Sequence, residues 1–101
     1  MSKDSPPAPP GEAEEKKPLI EYPAIYTFKV MGLQEHGFKE YVRQLFKRLM
    51  GTEISPDSIH EQPSSRGKYL SVSVSVYLLS EEHRRSIYAQ LHQEKRVIYY
   101  L

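Results

Sequence analysis

The chain has 101 residues, 39% of them hydrophobic, which is enough for one core but not for two. It contains no cysteine, so disulfides, thiolate nucleophiles and cysteine-based zinc sites are excluded together. The formal net charge is only +1, a weaker basic bias than phosphate-dominated nucleic-acid binding usually needs.

The first segment, MSKDSPPAPPGEAEEKKP, has no large apolar residue after Met1 and reads as a disordered tail over residues 1–18. Its Pro6–Pro9 and Pro7–Pro10 spacings fit a docking ligand, but a plain solubilising tail explains them as well. The opening is polar and rich in proline, unlike a secretory signal, and no apolar run is long enough to cross a bilayer. These features, with the lack of cysteine, suit a cytoplasmic protein free of the membrane.

Order is expected over residues 19–101, as one domain. IYTFKVM (Ile25 to Met31) alternates Tyr26, Phe28 and Val30 with Thr27 and Lys29, the pattern of a half-buried strand ended by Gly32. GFKEYVRQLFKRLMG then takes a helical period, with Phe38, Val42, Leu45, Phe46 and Leu49 on one side and Gly51 at the C-cap. ISPDSIHEQP is a weaker strand bracketed by Pro56 and Pro63, which places it at a sheet edge because proline cannot donate to a ladder. A turn at SSRG leads into a long strand from about Lys68 to Leu79, where Leu70, Val72, Val74 and Val76 alternate with Ser71, Ser73 and Ser75. Ser80 is placed to cap a second helix whose apolar side is Ile87, Tyr88 and Leu91, and RVIYYL closes the chain as a strand.

This β-α-β-β-α-β order predicts a ferredoxin-like α+β sandwich, a four-stranded antiparallel sheet with both helices on one face. The helices are expected to cover Tyr26, Phe28, Val30, Leu70 and the valines. Thr27, Lys29, Ser71, Ser73, Ser75 and Tyr77 are expected on the uncovered face.

Two segments, YPAIYTFKVMG (Tyr22 to Gly32) and PSSRGKYLSVSVSV (Pro63 to Val76), resemble the signature blocks of the YbeD-like family of small bacterial proteins of unknown function. Those blocks read roughly Pro-Cys-x-Phe-x-x-Lys-Val-Met-Gly and Pro-Ser-x-x-Gly-x-Tyr-x-Ser-Val. The resemblance spans Leu19 to Leu101 and implies a ferredoxin-like fold akin to ACT domains, which bind small ligands and regulate enzymes. It brings no catalytic residues, and Ala24 stands where members often carry cysteine, which removes a thiol-dependent role.

No catalytic or metal constellation is expected. His36, His60, His83 and His92 are scattered over loop, edge strand and helix, and no helical metal pair occurs. Ser64, Ser65, Arg66, Gly67 and Lys68 form the best anion-binding stretch, although the same residues make an ordinary hairpin turn. RGKYLSV brushes against the RNP1 pattern of RNA-recognition modules. The positions that would carry stacking aromatics are serines, however, and Tyr77 and Tyr100 offer rings only near the strand ends. Lys39, Arg43, Lys47 and Arg48 make a basic stripe that a solvated helix face also explains, as do Arg84, Arg85, Lys95 and Arg96. Buried hydroxyls without partners cost about 1–3 kcal/mol each, so the serine row argues against a dry face-to-face dimer and for a monomer or weak dimer.

The reading is a non-catalytic regulatory module, without metal or cofactor, that senses a small polar ligand or engages a protein partner. Its contact zone is taken as Lys29, Ser71, Ser73 and Ser75 with the loop from Gly32 to Gly37, whose helix N-terminus favours an anion. The competing readings are nucleic-acid binding through the Ser64–Lys68 hairpin and the basic helix, and a protein adaptor.

Overall fold

The computed structural model describes residues 20–101, so the expected tail lies outside the described residues. Strand β1 runs Ala24–Leu33, helix α1 Phe38–Met50, strand β2 Ile59–Pro63, strand β3 Tyr69–Leu78, helix α2 Glu81–Gln93 and strand β4 Tyr99–Tyr100. The sheet order is β2-β3-β1-β4 with every pair antiparallel, the expected ferredoxin-like α+β topology.

The two long strands pair over their whole length, from Ala24 opposite Leu78 to Leu33 opposite Tyr69. That register puts Phe28 against Val74 and Val30 against Val72, all buried beneath the helices. Val42, Leu45 and Phe46 of α1 and Ile87 and Leu91 of α2 complete the core. Phe28 is its aromatic centre, with ring centroids 5.6 Å from Phe46 and 5.0 Å from Tyr88.

Local chemistry sets the boundaries. Gly51, at φ 72°, closes α1 by donating its N–H to the Lys47 carbonyl at 2.8 Å. The Ser80 hydroxyl accepts from the His83 N–H at 3.1 Å and starts α2. Pro63 ends β2, which is an edge strand as expected. The final strand is shorter than RVIYYL: Tyr99 and Tyr100 alone make the ladder, with Ile98 and Leu101 bonded to Met31 and Lys29 on either side.

β1 runs one residue beyond Gly32, which is buried inside it. A Cβ there would lie 2.4 Å from the Phe38 ring and 2.6 Å from the Arg96 carbonyl oxygen. Only a residue without a side chain lets the start of α1 and the turn before β4 close over this point.

Candidate functional site

Among the described residues no helix covers the second sheet face. Ser71, Ser73 and Ser75 stand there half-buried between Tyr69 and Tyr77, while Leu70, Val72, Val74 and Val76 are buried on the other side. Ser73 is opposite Lys29, and the Ser75 and Thr27 hydroxyls are 2.8 Å apart. Ser75 is satisfied by this cross-strand bond, and Ser71 and Ser73 are only half-buried, so the face stays wet without stranding a polar atom.

Tyr77 was expected on this face; its apolar companions at the two ends of the serine row were not. Ile25, 71% exposed, pairs with Tyr77, 54% exposed, at one end. Leu33, Met31 and Tyr99 lie at the other, with Tyr99 opposite Met31 and 55% exposed. The face is therefore a polar column between two apolar patches. Tyr100, expected as a ring on this face, instead packs against the core beside Tyr88, because β4 register places Tyr99 outward.

The hairpin and the β1–α1 loop, proposed separately from sequence, meet at one end of the sheet. The Gln34 N–H donates to the Lys68 carbonyl at 2.8 Å. Arg96 joins them from the turn after α2, donating to the Glu35 and His36 carbonyls at 2.7 and 3.2 Å and stacking on Tyr41 at 4.6 Å. Nothing in the sequence distinguishes this arginine from the other surface cations. It locks the loop in which His36 and Gly37 both take positive φ.

Ser65, Arg66, Gly67 and Lys68 are exposed on the hairpin. Ser64 is not a free hydroxyl: it accepts from the Tyr69 N–H at 3.1 Å and closes the turn, in which Gly67 sits at φ 72°. Gly32 is likewise removed from the contact zone, because Phe38 and the Arg96 backbone seal it.

The basic stripe on α1 is largely spent on ion pairs. Arg43 bonds Glu40 and Glu53, and Lys47 bonds Glu53 at 2.7 Å. Arg84 forks onto Glu81 at 3.1 and 2.8 Å. These arginines hold Glu40 and Glu81 at pKa values of about 2, through hydrogen bonding above all. Carboxylates so firmly ionised are poor general acids or bases near neutral pH.

Among the described residues no three His, Cys, Asp or Glu side chains gather into a metal-holding group, and no helix is long and apolar enough to cross a membrane. His92 Nδ1 lies 3.2 Å from the Tyr100 hydroxyl, and His83 lines a cleft of about 410 Å³ at the Tyr77 end, with Met50, Ile54, Ser75 and Leu79.

This geometry defines a small ferredoxin-like α+β domain with one sheet face open. Residues 17–101 match the family model described as "Protein of unknown function (DUF493)", and the chain belongs to that family. A UPF0250 protein of Leptothrix cholodnii is 34% identical over 73 residues, 72% of this chain and 79% of that protein. One from Hahella chejuensis is 35% identical over 80 residues, 79% of this chain and 87% of that protein. These matches confirm the YbeD-like resemblance. The solution structure of protein HP0495 from H. pylori superposes with a TM-score of 0.68 at 21% identity, covering 88% of this chain and 92% of that one, and shares the fold.

Proposed function

We propose that the protein is a non-catalytic regulatory module that engages a protein partner through its uncovered sheet face. One observation carries this reading: Ile25, Tyr77, Leu33 and Tyr99, large apolar side chains open to solvent, stand on the face that no helix among the described residues covers. Apolar groups around a hydroxyl column suit an interface with dry anchors and a wet centre.

The test is capture of partners by the tagged full chain under cross-linking, with wild type beside an Ile25→Ser/Tyr77→Ser variant. Partners held by wild type and lost by the variant, whose fold is verified by amide NMR, support the reading. Identical partner sets from both proteins overturn it.

The cleft beside Tyr77 supports a second reading, small-ligand sensing. Its volume of about 410 Å³ and its mixture of Met50, Ile54 and Leu79 with Ser58, Ser75 and His83 suit a small amphipathic molecule. Amide shifts at Ser75–Leu79 on titration with organic acids or amino acids would support it, and silence across the panel would remove it.

A further inference from the structure

We propose that the hairpin end of the domain is the docking point for an acidic protein segment carrying an aliphatic side chain. This rests on the partner-binding reading and names the chemistry of the partner. Three strands of evidence in the geometry converge there.

The first is an asymmetry of charge. Among the described residues, Arg43, Lys47, Arg48, Arg84 and Arg85 have carboxylates within 4.0 Å, whereas Lys29, Lys39, Arg66, Lys68, Lys95 and Arg96 have none. Lys29 stands on the open face and Lys39 on α1, but the other four belong to the hairpin and to the turn after α2. Both are tied to one end of the sheet by the Gln34–Lys68 and Ile98–Met31 backbone bonds, each 2.8 Å. Glu21 and Glu82, also without cation partners among the described residues, flank the starts of β1 and α2 at the opposite end. Glu35 and Glu94 are carboxylates close to the basic groups, and Glu94 is already engaged by Tyr41, Gln90 and Arg48.

The second is an apolar recess within that basic rim. Leu33 and Ile98, the latter 55% exposed, line a depression of about 170 Å³ together with Glu35, Lys95 and Arg96. It is large enough for one aliphatic side chain and too small for a cofactor. Tyr99 extends it onto the open face.

The third separates a protein from a nucleic acid. Leu33 and Ile98 have no π-face on which a base could stack. Tyr99 at the margin offers a single ring where single-stranded nucleic acid uses several in succession, and the Tyr69 ring carries the Lys68 ammonium at 5.5 Å. Carboxylates on a peptide can be spaced to meet Arg66, Lys68 and Lys95 singly and to avoid Glu35, whereas a nucleic acid brings a charge with every nucleotide. Arg96 contributes positive potential but is committed to the Glu35 and His36 carbonyls.

The experiment uses the ¹⁵N-labelled full chain and three fluorescent probes at low ionic strength. These are a short peptide alternating Glu and Leu, the same peptide with Ser in place of Leu, and oligo(dT) of equal length. The expected result is tightest binding of the Glu/Leu peptide, with amide shifts confined to Leu33–Glu35, Arg66–Lys68 and Lys95–Tyr99. Lys68→Glu/Lys95→Glu should weaken it by about tenfold or more, and Ile98→Ser by severalfold. Should the double reversal lose its NMR dispersion, Arg66→Glu and Lys95→Glu singly give the same reading. Failure of the peptide to bind, unchanged affinity in the reversals, or tighter binding of oligo(dT) overturns the proposal. The Ile25→Ser/Tyr77→Ser variant should bind the peptide normally. Partners that depend on Ile25 and Tyr77 but ignore the charge reversals would leave the module reading standing and sink this one.

Discussion

Thr27 and Ser75 face each other across the central strand pair with their hydroxyls 2.8 Å apart, while their neighbours Phe28 and Val74 face each other in the core. One step along the chain thus separates a solvated hydrogen bond from a fully buried contact. The two faces should respond oppositely to the same kind of change. Ser73→Val should shift stability by no more than about 0.5 kcal/mol, because its environment is half open. Val74→Ser should cost about 2–4 kcal/mol by removing buried methyls and burying a hydroxyl. Urea midpoints of the two variants check this, and equal losses would contradict the assignment of faces.

Gly32→Ala should destabilise by about 1–3 kcal/mol or more, since the new methyl meets both the Phe38 ring and the backbone of Arg96. The ring can turn aside but the carbonyl cannot, so trimming Phe38 to Leu should restore only part of the loss. Denaturant unfolding of the single and double variants measures it.

Arg96→Lys should loosen the β1–α1 loop. A lysine cannot span the Glu35 and His36 carbonyls while lying flat on Tyr41, as the guanidinium does. Amide hydrogen exchange at Glu35, His36 and Gly37 should accelerate severalfold, with a stability loss of about 1–2 kcal/mol. Exchange unchanged from wild type would show that the loop is held by something else.

Acid should weaken the contact between α2 and the start of β1. Arg84, and then the Tyr22 hydroxyl, hold the Glu81 carboxyl at about 2, below its usual value of 4.5. A carboxylate with a depressed folded-state pKa contributes stability that is complete above its unfolded pKa. That contribution fades as pH falls from about 4.5 towards 2. Glu81→Gln should therefore flatten the acid limb of stability against pH, measured by urea midpoints between pH 6 and pH 2. Glu40, held equally low by Arg43, accounts for part of the slope that remains.

The architecture was legible because each element announces itself by period and punctuation. The Leu70–Val76 alternation, Gly51 past one helix and Ser80 before the other, and the prolines around β2 all behave as their chemistry dictates. The uncovered face was legible for the same reason, down to the serines. Its apolar ends were readable in part: if Tyr26, Phe28 and Val30 point inward, Ile25 must point outward.

Three other features were not readable. Gly32 looks like a strand terminator, and only the arrival of Phe38 and Arg96 from distant positions explains it. Arg96 looks like any surface cation until the α2–β4 turn meets the β1–α1 loop. Which of Tyr99 and Tyr100 faces out depends on a strand register of two residues, too short for a periodic signal.

The prolines flanking β2 give the sheet a direction of growth. On that side the outermost strand is stubby and ends in a residue with no N–H, so another polypeptide gains little by aligning against it. On the opposite flank β4 is shorter still and pairs only with Val30 and Met31. Among the described residues, Ala24 to Phe28 of β1 therefore have no strand beside them on that flank, and are where a foreign strand, in a specific complex or in misassembly, has most to gain.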